Sequence, residues 1–358
     1  MSTNITRFMQ EDIYDWFFKN ISEDVKPSFL ARKDFWVVPV STSDPEYANI
    51  VDHLKARFTA TKIESCREIE GLGIAVVREG DKTLVCGAYK DGQSKLVVSD
   101  VAIGGINPYS LSFLQKMAFV SKLDARTSNP IDSQVWKNDP IFESDVETYL
   151  PEIICFEVET ESSNSSDVLI LKFLLSLELG SKNVKAFRDD LIAVMLSIPN
   201  AEHDWLAQQL LYAVLSRRDS NFYAELYKLV EFFFPLFKIS KLKKSINFSG
   251  SHLKLLDICM TDLGWHVNHQ LGSRLALNYA SVEFAEVMLK KAFVISEDEE
   301  KRFKEDAMEK ITELRHSLIH QIFKQNDPAE ADITRATRSL LVFLSSSFEK
   351  YNAELANH

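Results

Sequence analysis

The sequence predicts an α+β fold in two domains, an N-terminal domain with a small antiparallel sheet and an all-α C-terminal domain. Short apolar stretches separated by Gly-Asp and Asp-Gly turn signals lie before residue 160, and this pattern is typical of hairpins. Apolar residues recur at helical spacing over nearly all of residues 168–358. At 358 residues the chain is long enough for two ordinary domains.

The N-terminal domain is expected to mix helices and strands. Glu79-Gly80-Asp81 and Lys90-Asp91-Gly92-Gln93 are turn signals that join three strands, which predicts two hairpins or a three-strand meander. In chain order the predicted elements are an amphipathic helix within 1–30, a strand at 35–40, a helix from Asp44 to about Phe58, strands at 73–77, 83–89 and 95–98, a helix around 111–122 and a last strand at 153–158.

A polar, Ser-rich stretch with the sequence ETESSNSS occupies residues 159–166 and is the expected linker. The predicted organisation is an α+β regulatory or sensor domain at 1–160, a linker with connecting helices at 161–204, and a helical domain at 205–358. Within the helical part, breaks are expected at Pro199-Asn200, Pro235, Ser249-Gly250-Ser251, Gly264, Gly272 and Asp327-Pro328.

The charge of the chain limits its nucleic-acid partners. It carries 41 Lys and Arg residues against 52 Asp and Glu residues, for a formal net charge of −11. A general nucleic-acid coat needs a basic surface, so that class is excluded. Residues 1–200 hold 21 basic and 30 acidic residues, whereas residues 201–358 hold 20 and 22. The C-terminal part is therefore the one expected to meet a polyanion.

The sequence predicts a cytoplasmic protein. Cys66, Cys86, Cys155 and Cys259 form no C-x-x-C pair, so they are expected to be buried free thiols in a reducing compartment. The N-terminus lacks a basic segment followed by an apolar stretch, so no signal peptide is expected. Charges interrupt the apolar runs before 18 residues, so no membrane span is expected.

The segment 296–323 predicts a long helix near the C-terminus. Ser296 and Glu299 form a capping box, and acidic residues in the first turn suit the helix dipole. An apolar stripe of helical period follows, formed by Phe303, Met308, Ile311, Leu314, Leu318, Ile319 and Ile322.

Arg315, His316 and His320 lie near the end of this predicted helix. Arg315 and His320 are about 140° apart around the helix axis, so both can line a cleft formed with a second helix. An Arg can neutralise the charge that develops on a pentacoordinate phosphate. A His can move a proton to or from a ribose oxygen at cellular pH. When the 2′-hydroxyl is the nucleophile no metal is needed, which restricts such a site to RNA.

The sequence Arg315-His316-Ser317-Leu318-Ile319-His320 resembles the R-x4-H signature of HEPN-domain ribonucleases. Upstream, residues 222–233 are similar to the early HEPN helix, which often carries aromatic and Glu residues, and residues 332–351 supply the expected last helix. The resemblance covers roughly 205–358 and is greatest to the HEPN types of anti-phage and abortive-infection proteins. The segment RHSLIH is also similar to the motif of the RNase LS toxins.

This resemblance implies an HEPN-like helical bundle with metal-independent endoribonuclease activity and no cofactor. Arg315 would stabilise the phosphorane, and His320 would act as general base or acid on the 2′-hydroxyl, giving a 2′,3′-cyclic phosphate. Many HEPN proteins have Asn after the Arg, whereas this chain has His316, for which an orienting, a proton-carrying and a merely tolerated role all stay open. The family further implies a homodimer through the helical domain and a role in toxin–antitoxin or anti-phage systems. The N-terminal domain would then bind an antitoxin or a phage-derived regulator.

Two alternatives to catalysis stay open for this site. Arg315 has no acidic residue three or four positions away, so its structural alternative is a tertiary ion pair with Glu231 or Glu225. The whole helical domain would then be a non-catalytic HEPN-like module for dimerisation and for RNA or protein binding. The other alternative is a metal held by His316 and His320, or by His266 and His269. A third ligand and an H-E-x-x-H motif are lacking, so we expect no metal, and we interpret His266 and His269 as satisfied helix histidines.

Basic residues outside the motif are candidates for contacting RNA phosphates. The densest cluster, Lys238, Lys241, Lys243 and Lys244, follows the predicted break at Pro235. Arg335 and Arg338 on the last predicted helix are expected to reach the same RNA-binding groove as these lysines. The structural alternative for the lysines and for the two arginines is a solvated helix face.

Overall fold

The structure is a computed structural model in which the chain divides into two compact units, residues 1–178 and 179–358. The elements expected at 1–30, at 35–40 and from Asp44 to Phe58 lie outside the described residues. The described residues are 61–79, 81–91, 94–99, 103–111, 115–116, 119–120, 123, 150–159, 165–177, 182–199, 203–216, 218–265, 268–292, 297–319 and 328–356.

The described part of the first unit contains an antiparallel sheet, a helix after it, and helical residues at 115–116 and 119–120 within the helix predicted around 111–122, which confirms the α+β class. The elements are β1 (Thr61–Ile69), β2 (Leu72–Glu79), β3 (Lys82–Tyr89), β4 (Ile106–Pro108), β5 (Ile154–Val158) and α1 (Ser166–Ser176). The strands occur in the order β1-β2-β3-β5-β4 across the sheet, and every neighbouring pair is antiparallel. The strands predicted at 73–77, 83–89 and 153–158 are present as β2, β3 and β5.

The meander exists, but it begins one strand earlier than predicted. Glu70 and Gly71 join β1 to β2 with φ angles of 52° and 81°, the positive values that a type I′ hairpin turn requires. The strand predicted at 95–98 is wrong, because that segment makes only an isolated bridge between Val98 and Leu177. The edge of β3 that it would have needed is already paired with β5.

The sheet is covered on both faces, which explains why β2 and β3 are nearly continuous apolar runs. Gly87 faces α1, where an added Cβ would lie 2.6 Å from Phe173. Gly73 occupies a register position next to that of Gly87 and so faces the other side, where Leu123 lies 3.3 Å from an added Cβ. The side chains of both alternating sets in these strands are therefore buried.

All regular elements described in the second unit are helices. The helices are α2 (Lys182–Ser197), α3 (Asp204–Val214), α4 (Asp219–Ser245), α5 (His252–Thr261), α6 (His269–Ala276), α7 (Glu283–Leu289), α8 (Glu297–Ile319) and α9 (Glu330–Ala356). Helix α4 lies at the centre of this unit and contacts α3, α5, α6, α8 and α9. The segment expected to connect the two domains contributes α1 to the first unit and α2 to the second.

The predicted helix break at Pro235 is wrong, because α4 continues through it. Proline costs a helix interior about 3 kcal/mol, since it lacks the N–H that would bind the carbonyl of residue 231. Phe233, Phe234 and Leu236 beside it are buried, at 0%, 4% and 0% exposure. Burial of each such side chain contributes about 1.5–3 kcal/mol, so packing outweighs the local cost.

The predicted break at Gly272 is also wrong, because this residue lies inside α6. A Cβ on Gly272 would lie 2.5 Å from the ring of Phe234 on α4. The glycine therefore reflects the close approach of two helices. From the sequence pattern alone, the same glycine predicts a helix break.

The other helix predictions near the C-terminus are confirmed where the structure describes them. Helix α8 corresponds to the helix expected within 296–323, although Ser296 and its capping box lie outside the described residues. Helix α9 contains the predicted last helix. The breaks at Pro199, 249–251 and Gly264 fall between helices, and Gly264 has a φ of 60°.

Two expectations about the surface can be compared with the described residues. Within that part of the chain, no helix combines the length and the apolar character needed to cross a membrane. All four cysteines are free thiols, but only three are buried. Cys66 is exposed because it lies on β1, an edge strand of the sheet.

We predict that Gly272→Ala destabilises the second unit. The clash includes the Cβ of Phe234 at 2.8 Å, so rotating the ring cannot relieve it and the two helices must separate. We expect the free energy of unfolding to fall by about 1–3 kcal/mol, as measured by urea denaturation. Gly104→Ala is the matched control, since nothing lies within 4 Å of its added Cβ. Equal stability of the two variants would contradict the close approach.

Candidate active site

Arg315 lies near the end of α8 and extends towards α4. Its Nη2 donates a hydrogen bond to Oε1 of Glu231 at 3.1 Å. Its guanidinium carbon is 5.2 Å from the centre of the Tyr227 ring, a distance at which a cation is attracted by the ring face. The Arg315 side chain is 21% exposed. The tertiary ion pair with Glu231, one of the two partners expected from the sequence, is thereby confirmed.

Two tyrosines of α4 hold α8 in place beside this ion pair. The Tyr223 hydroxyl donates to the backbone carbonyl of Ile311 at 2.8 Å. The hydroxyls of Tyr227 and Thr312 lie 3.1 Å apart in a hydrogen bond. Burial raises the pKa of Tyr223 well above its ordinary value. Burial is also the main cause of the raised pKa of Tyr227, which the nearby Glu231 charge raises further. Both tyrosines are therefore neutral hydrogen-bonding groups at cellular pH.

Glu231 is the point at which three helices meet. Its Oε1, which accepts from Arg315, is also 3.8 Å from Nδ1 of His269, the first residue of α6. Glu231 is 29% exposed and His269 is 56% exposed, so the group faces solvent on one side. The backbone carbonyl of Glu231 also receives no helical hydrogen bond from Pro235, because proline has no N–H.

This arrangement can bind an anion such as a phosphate. A guanidinium has five N–H donors in a planar fork. Among the residues that the structure describes, the one hydrogen bond of Arg315 uses Nη2. The remaining donors are suited to the oxygens of a phosphodiester.

The structure describes one of the two histidines of the motif. His316 is exposed in the last turn of α8. His320 lies outside the described residues, so its assignment remains a prediction from the R-x4-H spacing. Residues 316 and 315 are adjacent on one helix, which places their side chains about 100° apart around its axis.

The predicted RNA-binding lysines lie on α4 itself, because the helix continues past Pro235. Lys241, Lys243 and Lys244 are in its last two turns. Ten residues of helix separate Lys241 from Glu231, which is about 15 Å along the axis. The ammonium group of Lys241 lies 4.4 Å from the centre of the Phe237 ring. These lysines are therefore remote from Arg315 and would contact a different part of a bound strand.

The two arginines of α9 pair with acidic residues elsewhere. Arg335 forms an ion pair with Asp332 one turn earlier in the same helix. Arg338 lies 3.5 Å from Asp190 of α2 and stacks over the ring of Phe187. No described contact joins either arginine to Arg315. The sequence expectation that they share its groove thus has no support among the described contacts.

No three His, Cys, Asp or Glu side chains in the described part of the chain are grouped as a metal site requires. His266 and His320, which the two alternative metal pairs need, lie outside that part. Comparison of the chain with protein-family models, with curated proteins and with solved structures finds no match. The case for an HEPN-class site therefore rests on the side chains of this chain alone.

Sequence reasoning missed the position of His269 in this site. It interpreted His269 as a satisfied helix histidine, whereas the residue lies beside the partner of Arg315. The only signal in the sequence is indirect. Gly272, three residues later, permits the close contact of α6 with α4, and a glycine that permits helix contact looks the same in sequence as one that ends a helix.

We predict measurable coupling between Arg315 and Glu231. A double-mutant cycle with Arg315→Gln and Glu231→Gln should give a coupling energy of about 1 kcal/mol, because both side chains are partly buried and charged. Urea denaturation of the four proteins measures it. Lys228 and Glu225 provide a matched control at 2.7 Å with Lys228 52% exposed, where we expect below about 0.5 kcal/mol. Coupling no larger than in this control would contradict the tertiary role.

A second prediction concerns alkaline pH. In the unfolded chain tyrosines ionise near pH 10, whereas Tyr223 and Tyr227 stay protonated in the folded protein because burial raises the pKa of each. The folded state then holds more protons, so the free energy of unfolding should fall as pH rises above about 10. Tyr223→Phe should show a shallower fall in urea denaturation at pH 9 to 11. A slope identical to that of the wild type would contradict the pKa shift of Tyr223.

Proposed function

We propose that this protein is a metal-independent endoribonuclease of the HEPN class that acts in toxin–antitoxin or anti-phage defence. The observation that carries the proposal is the position of Arg315. It lies on the penultimate helix of a helical unit, is partly exposed, and is held by a carboxylate and an aromatic ring from another helix. Its side chain is 21% exposed, which supports contact of the guanidinium with a bound phosphate.

In the proposed reaction the ribose 2′-oxygen attacks the adjacent phosphorus. His320 acts as general base or acid on the 2′-hydroxyl, and Arg315 stabilises the negative charge on the phosphorane. The products are a 2′,3′-cyclic phosphate and a 5′-hydroxyl. No cofactor takes part. His316 stays a candidate for orienting the phosphate or carrying a second proton.

The proposal extends to partners. The RNA substrate would contact Lys241, Lys243 and Lys244 at a distance from Arg315. Arg335 and Arg338 would contribute only if RNA competes with the carboxylates that pair with them. The helical unit would form a homodimer, and the N-terminal unit would bind an antitoxin or a phage-derived regulator in the cytoplasm.

A second function is favoured by the ion pair itself. Arg315 also joins α8 to α4 through Glu231 and Tyr227. If that structural task is its only one, the chain is a non-catalytic HEPN-like module that dimerises and binds RNA or protein. Such a module binds without cleaving, and its binding depends on folding more than on the charge of Arg315.

Cleavage of RNA by point variants tests the proposal. Arg315→Ala and His320→Ala should each lose cleavage of total RNA by at least about 100-fold, while circular dichroism shows a folded protein. Arg315→Lys keeps the charge but not the planar fork, so it should retain part of the activity. The readout is the rate of product formation together with detection of 2′,3′-cyclic phosphate ends.

Arg302→Ala is the matched control, because Arg302 is an exposed arginine on the same helix. It should cleave like the wild type. EDTA should have little effect, whereas loss of cleavage with EDTA would point to a metal-dependent hydrolase using His316 and His320. Wild-type activity in either Arg315→Ala or His320→Ala would overturn the proposed chemistry. RNA binding without cleavage by the wild type would favour the non-catalytic module.

A further inference from the structure

His269 faces the same carboxylate oxygen as Arg315, although the two residues come from different helices. Nδ1 of His269 and Nη2 of Arg315 lie 3.8 Å and 3.1 Å from Oε1 of Glu231. An imidazole and a guanidinium thus lie next to the same carboxylate oxygen. The sequence separates them by 46 positions, and only the packing of α6 and α8 on α4 brings them together.

The position of the His269 ring is set by its surroundings. The ring meets the buried Phe234 edge to face, with centres 5.7 Å apart and planes at 87°. Phe234, on α4, also contacts Gly272, which lies on α6 with His269. The first turn of α6 is therefore tightly packed on α4. Asn268 caps the helix at this end by accepting the N–H of Gln270 at 2.8 Å. A rigid support therefore holds a side chain that is 56% exposed.

The two nitrogens of the ring have different surroundings. Nδ1 is the nitrogen nearest Glu231, and Nε2 is the one farther from that carboxylate. The separation of 3.8 Å is longer than a hydrogen bond, so Glu231 acts on His269 through its charge, and the exposed ring can exchange a proton with a ligand. Arg315 presents its remaining donors beside the same carboxylate. A phosphodiester held by those donors would lie within reach of His269.

We propose that His269 is the general acid of the reaction, a role that rests on the proposed function. The 2′-oxygen forms a bond to phosphorus, and its proton passes to the general base. The bond between phosphorus and the 5′-oxygen breaks, and its electron pair stays on that oxygen. The 5′-oxygen takes the proton of His269, which becomes neutral. Glu231 is the positioning residue for both His269 and Arg315.

A leaving group that needs no proton tests this role directly. A 5′-thio leaving group departs as a thiolate, so the general acid is not required for that substrate. His269→Ala should slow cleavage of an oligonucleotide with one ordinary ribonucleotide linkage by at least about 100-fold. It should cleave the matching 5′-phosphorothiolate oligonucleotide at nearly the wild-type rate. Arg315→Ala should slow cleavage of both substrates, because the phosphorane needs charge stabilisation in each case.

Two controls separate catalysis from folding. Gln270→Ala changes an exposed side chain of the same helix and should cleave both substrates like the wild type. His269→Gln keeps a polar side chain of similar size and should behave like His269→Ala, because it cannot donate a proton as an imidazolium does. A variant that merely unfolds would lose cleavage of both substrates together, and its circular dichroism spectrum would show the loss of helix.

The failures of the two proposals are distinguishable. If the wild type cleaves while His269→Ala cleaves both substrates at the wild-type rate, the role of His269 is overturned and the proposed function stands. If folded His269→Ala is equally slow on both substrates, the general-acid role is likewise overturned. If the wild type cleaves neither substrate, the proposed function fails and the role of His269 fails with it.

Discussion

Burial of helix α4 is the constraint on which the second unit depends. Five other helices of that unit contact α4, and its aromatic segment from Phe232 to Phe234 is at most 6% exposed. A helix buried on so much of its circumference needs apolar side chains in nearly every direction, which is why its sequence lacks a simple amphipathic stripe. The same burial allows Pro235 to stand in the helix interior, because the packing energy exceeds the lost hydrogen bond.

The candidate site is a consequence of that packing. Tyr223 and Tyr227 hold α8 against α4, and the contact of Phe234 with Gly272 holds α6 against it. Arg315 and His269 are therefore brought to Glu231 by rigid elements, which is the arrangement that precise positioning of reacting groups requires. An ion pair in the free protein and a catalytic task are compatible here, since a guanidinium has more donors than one carboxylate oxygen uses.

Local signals in the sequence were sufficient to predict an element where local conformational preference and tertiary packing favour the same structure. The strands β2, β3 and β5 and the helices α8 and α9 lie where turn residues and apolar periodicity placed them. Prediction was wrong where packing decides. The edge strand β1 carries only two large apolar residues, Ile63 and Ile69, among mostly polar and charged ones, so it lacks the apolar pattern that indicates a strand. Residues 95–98 look like a strand, but the edge of β3 that they were expected to pair with is taken by β5. Pro235 and Gly272 look like breaks, yet they are tolerated or required by neighbouring helices.

The sequence by itself determined the α+β class, the helical C-terminal part and the spacing of Arg315, His316 and His320. It also limited the ion-pair partners of Arg315 to a tertiary carboxylate, because no acidic residue is one turn away in its helix. Only the tertiary structure decided that this carboxylate is Glu231 and that His269 reaches the same oxygen. The physical reason is that side chains far apart in sequence meet only where helices pack, and helix periodicity specifies a buried face without specifying its partner.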